Sequence, residues 1–550
     1  MEESKTSLKV PPNQDKTQND IIRTVVGDFG RWQLRISLLM ALVKLPIAWF
    51  QLSIVFLAPS TKFWCKKPED FHNITDETWR VLMEPNNTNS AKGLNQGHCL
   101  IRNVESSNID NISEDLISCT NGFIYDTSMF LSSITTEWDL VCDKQKFTDL
   151  SQIVFMFGVL LGNIILGVLA DKYGRKRILV ICLFFQSIFG ILASFSPFLW
   201  LFILLRFLLA LTNGGTMVTS FVLCIEIVEG KWRTIIPILY QIPFGLGNSV
   251  MSIVAYFLRD WRKFHLTISL LSFLFVSFIW LIPESPRWLL VAGKKNKAFK
   301  ELIFAAKENK RDMPNFKDTL QNITHNKSCK DNGKLKQLFS TRELSKRTIL
   351  LCINWAIAGI TFFAFTQYMG FIGNNLFLNV ALGGFTVLPG TFLCIFLVSN
   401  FGRRLTIAYS HAFTALCFFL ILPFPKGVYP FDWPRILFAG CGIIGLSVSI
   451  PAIYLYTGEL IPTALRNTGL GFVMMFSRLT SMLAPLIISL QDVAVFLPLL
   501  ILGVATAIQV LLVLPLPETE KSRLPDDIKD IESRYGQNEA KDDENGNQYL

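Results

Sequence analysis

The sequence predicts an all-α membrane protein: 12 transmembrane helices in two pseudo-symmetric six-helix bundles, with a large extracellular loop between helices 1 and 2. Three observations carry that expectation. The composition suits lipid, with 51% hydrophobic and 17% charged residues over 550 positions, where soluble domains carry about a quarter charged. The apolar residues gather into runs of about 20, the length that crosses a bilayer. These runs fall into two sets whose flanking motifs answer each other.

The first set lies at about 34–58, 149–170, 178–196, 198–227, 235–258 and 264–282, and the second at about 348–370, 376–398, 405–422, 435–457, 467–490 and 495–515. The expected domains are an N-terminal tail (1–33), a first bundle (34–282) containing the outer loop (59–148), a connector (283–347), a second bundle (348–517) and a C-terminal tail (518–550). Met1 to Arg31 holds no apolar core of signal-peptide length, so span 1 is expected to act as signal and anchor, with both tails in the cytoplasm.

Basic residues agree with that topology. Lys294, Lys295, Lys297, Lys300, Lys307, Lys310 and Arg311 enrich the connector, and Lys172, Arg175, Lys176, Arg177, Lys231, Arg233, Arg403 and Arg404 enrich short loops on the same side. The positive-inside rule puts these in the cytoplasm. Arg259, Arg262 and Lys263 disagree, because they fall between spans 5 and 6 on the expected outer side. The net charge of +9 therefore reports orientation, and no nucleic-acid module accompanies it.

The outer loop contains Cys65, Cys99, Cys119 and Cys142, which suggest two disulfides with three possible connectivities. It also holds three sequons, at Asn73, Asn86 and Asn111, expected to be glycosylated. Asn322 and Asn326 stand in sequons as well, on the side where glycosylation does not occur.

Gly174-Arg175-Lys176 after span 2 answers Gly402-Arg403-Arg404 after span 8. Glu226 and Arg233 after span 4 answer Glu459 and Arg466 after span 10, and Pro283-Glu284-Ser285 answers Pro517-Glu518-Thr519. The offsets are 228, 233, 233 and 234 residues, the signature of a duplicated transporter that binds substrate between its halves near the midplane. Glutamate and arginine are seven apart in both halves, two turns if the helix persists that far. Around the first of these motifs, Gly167, Asp171, Lys172, Gly174, Arg175, Lys176 and Arg177 combine glycines for close approach with charges that can latch a neighbouring helix end.

These residues resemble the major facilitator superfamily and, within it, the organic cation, anion and zwitterion transporters of solute carrier family 22. The resemblance rests on Gly27-Asp-Phe-Gly30-Arg-Trp-Gln33, Thr136-Glu-Trp-Asp-Leu-Val-Cys142, Pro283-Glu-Ser-Pro-Arg-Trp288 and Tyr456-Thr-Gly-Glu459-Leu-Ile-Pro462 with Arg466. It implies that Asp171, Gly174, Arg175, Glu226, Arg233, Gly402, Arg403, Glu459 and Arg466 belong to cytoplasmic gating clusters. Ser399 stands where the second half's motif would have its aspartate, so a symmetric latch there lacks its acid.

Ionisable residues within spans cost roughly 2.5–3.5 kcal/mol each, so each is a functional candidate. The conspicuous ones, Lys44, Arg206 and Arg478, are all basic. Arg478 lies near the midplane, seven residues before Pro485, and resembles a position that is arginine in anion carriers and aspartate in cation carriers. A guanidinium there can hold a carboxylate or sulfate by two bonds. Lys44 and Gln51 share a face of span 1, and Gln51 resembles a polar cavity position of the anion carriers. Arg206 resembles a structural arginine of facilitators. Thr391 stands where some anion carriers have lysine. Tyr240, Gln241 and Phe244 on span 5, Trp355 and Phe362 on span 7 and Tyr454 on span 10 complete the expected cavity, its aromatics suiting amphiphilic ions.

The expectation is a plasma-membrane carrier of small organic ions working by alternating access, favouring anions or carboxylate-bearing zwitterions, with a counter-ion or exchange substrate and the bilayer as partners. The alternatives are an organic cation carrier of the same family and, further off, a sugar transporter or a transport-dead receptor. No enzyme constellation, metal site, cofactor site or phosphate-binding loop is read from the sequence.

Overall fold

The computed structural model describes residues 25–27, 29–67, 75, 77–79, 99–104, 112–119, 121–311, 335–373, 375–462 and 465–520. Among these, eleven helical runs are long and apolar enough to cross a membrane. They are Arg31–Leu52, Cys142–Tyr173, Arg175–Ser194, Leu199–Glu226, Trp232–Leu258, Trp261–Ile279, Arg342–Ile372, Leu376–Phe401, Arg403–Ile421, Pro430–Leu460 and Thr468–Ser489. Leu497–Val513 is the twelfth; its 17 residues rise about 26 Å at 1.5 Å each. Span 7 starts ahead of the expected position 348 because its polar first turns are helical too. Thr341 accepts the Leu344 amide at 3.3 Å, and Glu343 pairs with Arg347 at 3.1 Å.

Among the described residues, four spans break just ahead of a proline, and the proline accounts for the break. Proline lacks the N–H that would bond the carbonyl four residues earlier. Span 1 breaks at Val43 ahead of Pro46, and span 5 divides at Tyr240 and Gln241 between Pro237 and Pro243. Span 8 divides at Thr386 ahead of Pro389, and span 11 divides at Met482 and Leu483 ahead of Pro485.

The two halves meet unequally. On the side bearing the long first loop, one apolar core runs through both, from Trp49, Val55 and Phe56 to Tyr368, Met369 and Phe377. Spans 5 and 8 cross there at very short range: a Cβ on Gly384 would lie 2.3 Å from Ser249 Oγ, and one on Gly245 would lie 2.7 Å from the Gly384 carbonyl. Small residues permit such crossings in lipid. Ser249 and Ser252 donate across the seam to the carbonyls of Ala381 (2.8 Å) and Phe377 (2.5 Å). On the opposite side, bearing the connector, the buried residues form separate first-half and second-half cores, with Ile238 of span 5 joining the latter.

Among its described residues the first loop contains four strands: β1 (Phe63–Cys65), β2 (Leu100–Val104), β3 (Ile112–Ser118) and β4 (Phe123–Tyr125). β1 pairs antiparallel with β4, and β2 with β3. The cysteines pair as Cys65–Cys119 and Cys99–Cys142, with Cα separations of 5.4 and 5.8 Å, which selects one of the three connectivities. Asn73, Asn86 and Asn111 lie outside the described residues, as do Asn322 and Asn326.

Arg262, in the basic cluster that disagreed with the topology, has a local explanation. Arg262 forks onto Glu137 of the first loop and donates to the carbonyls of Ser194 and Ser196 at the end of span 3, both at 2.7 Å. Trp261 Nε1 donates to the same Glu137 at 2.8 Å. This arginine is a helix C-cap and a loop anchor, so its position follows from its partners rather than from the charge rule. Glu137→Gln should loosen the loop at its root, seen as faster proteolysis within residues 59–148, with the spans unaffected.

The connector folds back on the first half. Asn309 accepts the Trp32 amide at 3.0 Å and donates to Gln33 Oε1 at 2.8 Å, while Glu308 pairs with Arg35 at 2.9 Å. Gly30 leaves room for that side chain: a Cβ there would lie 2.4 Å from the Asn309 amide, which would have to shift.

Candidate functional site

The predicted cavity residues gather around the breaks in spans 1 and 5. Lys44, at the restart of span 1, is buried with its Nζ 4.7 Å from the Tyr240 ring and 5.8 Å from the Phe244 ring. From Tyr240, ring contacts pass to Phe221 (5.5 Å), Tyr454 (4.7 Å) and Trp355 (6.1 Å). From Phe244 they pass to Phe362 (6.0 Å) and Phe363 (5.3 Å), over which the Arg478 guanidinium lies at 5.4 Å. Arg478 Nη2 reaches Met217 Sδ at 3.1 Å, and Gln51 reaches the same sulfur at 3.9 Å while donating to Asn213 at 3.0 Å. These contacts join both halves at one level. Gln241 is half-buried at the break in span 5, and the contacts just traced do not pass through its side chain.

The polarity of this ring is one-sided. Among the described residues no carboxylate pairs with Lys44 or Arg478, and Arg478 Nη1 is buried without a hydrogen-bond partner. Arg206 differs. It is buried in a finished socket, bonded to Gln152 (3.0 Å) and Ser151 (3.4 Å) of span 2 and stacked near Phe155 and Phe202. That arginine ties spans 2 and 4 together.

Sequence reasoning missed Asn213, Met217, Phe221 and the contact role of Phe363. The first three recur every four residues on span 4, one helix face, and that spacing was the available signal.

On the connector side Arg175 takes Asp171 at 2.7 Å and Glu226 at 3.1 Å, linking the turn after span 2 to the end of span 4. In the second half Arg403 pairs with Glu459, its Nη2 donating to Oε1 at 3.2 Å and its Nε 3.2 Å from Oε2. Ser399 turns its hydroxyl back to the Ile395 carbonyl at 2.8 Å, so the second cluster has no counterpart of Asp171. Each of these ion pairs lies within one half. The expectation that Glu226 and Arg233 share a helix face is corrected: span 4 ends at Glu226 and Arg233 lies on the next helix, with Gly230 at φ +59° between them. Glu459 and Arg466 are likewise separated by a helix end at Leu460, and the Arg466 side chain lies outside the described residues.

Glu284 and Glu518, noticed only as repeat markers, prove to be helix caps. Glu284 Oε1 accepts the amides of Lys176 (3.0 Å) and Ser285 (3.1 Å). Glu518 accepts those of Arg403 and Arg404 at 3.0 Å, Thr519 at 2.9 Å and Glu520 at 3.1 Å. Each carboxylate satisfies amides that a helix start leaves open. The turns that bring the amides there pass through Gly174 (φ +116°) and Gly402 (φ +79°), backbone that side chains resist. Trp288 Nε1 adds a 2.7 Å bond to the Asp171 carbonyl.

Residues 118–525 match the family model described as "Sugar (and other) transporter". Mouse solute carrier family 22 member 3 is 32% identical over 92% of this chain and 94% of its own length. The chain belongs to solute carrier family 22. The family resemblance of the motifs therefore holds, and this member is a multi-pass membrane transporter, not an enzyme. The Drosophila melanogaster protein named "Organic cation transporter protein" is 29% identical over 94% of each chain. The solute carrier family 22 fold is that of the major facilitators: the xylose transporter XylE from E. coli superposes with a TM-score of 0.59, at 15% identity over 90% of this chain and 100% of that one.

Proposed function

We propose that this transporter carries small organic ions across the plasma membrane by alternating access, favouring organic anions or carboxylate-bearing zwitterions. The observation that carries the charge preference is Arg478: a guanidinium at mid-membrane with a buried, unpartnered Nη1 and only a thioether on Nη2. Sulfur is a weak acceptor, so the guanidinium keeps most of its capacity for a carboxylate. Lys44 adds a second cation without a carboxylate partner among the described residues. The aromatic contacts between them supply apolar surface for the rest of an amphiphilic substrate.

The halves share a core on the loop side and keep separate cores on the connector side, which supports a state closed toward the loop. In this reading the disulfide-bonded loop, glycosylated at Asn73, Asn86 and Asn111, is extracellular, and both termini are cytoplasmic. Arg175 with Asp171 and Glu226, and Arg403 with Glu459, are gating clusters that re-pair as the halves rock, driven by a gradient or an exchange substrate. The name of the Drosophila relative favours a cation carrier instead.

Uptake of labelled carboxylates, quaternary amines and carnitine-like zwitterions by cells expressing the chain separates the two. Carboxylates or zwitterions should accumulate, and Lys44→Met should lower their uptake roughly tenfold, the loss of about 1.4 kcal/mol. Accumulation of quaternary amines alone, insensitive to Lys44→Met, overturns the charge preference.

A further inference from the structure

A cavity of about 440 Å³ lies on the connector side, away from the central ring. Its walls come from the turn after span 2, the start of span 3, the end of span 6 and the two connector helices, Pro286–Val291 and Lys295–Glu308. Lys176, Arg177, Lys294 and Lys297 line it with a single acid, Glu284. Glu284 is already committed to the Lys176 and Ser285 amides. Glu301, beside Lys176, lies outside the lining, its carboxyl raised above its usual value chiefly by burial. Lys294 rests its Nζ 4.4 Å from the Trp288 ring, so its stem is already positioned.

The other end of the cavity is apolar, formed by Val180 and Ile181 of span 3 and Ile279 of span 6. Ile181 is 48% exposed and Ile279 38%, and Trp280 beside it is 82% exposed, on faces that meet hydrocarbon and the headgroup layer. A soluble anion has no use for such a wall. A ligand with a charged head and a hydrocarbon tail uses both ends.

We propose that this cavity binds an anionic phospholipid, its phosphate among Arg177, Lys294 and Lys297 and its acyl chains along Ile181 and Ile279. The volume lies within the range of small-molecule sites. Basic pockets beside membrane helices recognise such headgroups, each cation strengthening binding about fivefold. Because Glu284 and Trp288 line the same cavity while fastening the turn that carries Asp171 and Arg175, a bound lipid holds the first-half cluster in its present form. The inference is independent of substrate charge, and its test reads lipid binding alone.

The full chain, purified in detergent, is presented with phosphatidylserine or phosphatidylinositol 4-phosphate, with phosphatidylcholine and inorganic phosphate as comparisons, and retention is read by native mass spectrometry. The anionic lipids should be retained at least tenfold better than phosphatidylcholine. R177Q/K294Q/K297Q should weaken retention roughly a hundredfold, about fivefold per cation. K300Q/K307Q/K310Q, which removes the same charge from the connector outside the cavity, should leave it unchanged. Ile181→Trp fills the apolar end, keeps every charge and should also weaken retention; this arm decides if the triple variant fails to fold. Equal retention of phosphatidylcholine, equal loss in both triple variants, or displacement by inorganic phosphate together with an inert Ile181→Trp each overturns the proposal.

Discussion

Arg478→Asp is expected to abolish uptake of organic anions, by about a hundredfold or more, while the protein still reaches the cell surface. Removing one member of a buried, bonded charge pair costs about 3–5 kcal/mol, equivalent to roughly two to four decades in affinity. Here the missing pair would be the guanidinium and the substrate carboxylate. The new aspartate would face Lys44 and the aromatic contacts instead, so labelled quaternary amines are the substrates whose uptake should rise. Arg478→Lys keeps the charge and loses the planar fork, and should retain an intermediate rate. Anion uptake that survives the charge reversal sinks the assignment of Arg478 as the substrate anchor.

Glu518→Ala is expected to be the most damaging single change outside the central ring. Its carboxylate collects four backbone amides, two of them opening span 9. Losing a cap costs about 0.5–2 kcal/mol, and each buried amide left open adds about 1–3 kcal/mol. Glu284→Ala strands fewer amides, since that carboxylate accepts Lys176 and Ser285. Detergent-purified variants should therefore lose thermal stability in the order Glu518→Ala, Glu284→Ala, wild type, with Glu518→Gln between the first and last. The reverse order for the two alanine variants contradicts this account of the caps.

Much of the architecture was legible because lipid imposes one rule on every span: about 20 apolar residues with their backbone bonds closed internally. The duplicated motifs then gave the two halves directly. The residues whose roles escaped reading share one property: their meaning depends on a partner distant in sequence. Arg262 reads as a misplaced charge until Glu137 stands beside it, 125 residues away. Glu284 caps an amide 108 residues earlier, and Glu518 one 115 residues earlier. Met217 and Phe221 are apolar residues in an apolar helix, without compositional contrast to mark them. The spacing between Glu226 and Arg233 misled for another reason: a count of seven implies two turns only within a continuous helix, and Gly230 in its left-handed conformation ends that continuity. Lys44 and Arg478 were visible because a charge in a span stands out against its surroundings, whatever its partner.

The close crossing of Gly245 and Ser249 with Gly384 has a mechanical consequence. Backbones that touch with no side chain between them have little room to slide past one another, so in the proposed alternating-access cycle the seam would serve as the fulcrum. Ile242 lies 7 residues from Ser249 within the continuous part of span 5, a lever arm of about 10 Å at 1.5 Å per residue. A tilt of about 20° about that point would sweep that end through about 4 Å by the same geometry, while the crossing itself barely moves. A bulky side chain at Gly384 would therefore act as a wedge at the pivot, arresting the whole stroke from a position that touches neither the charged clusters nor the substrate.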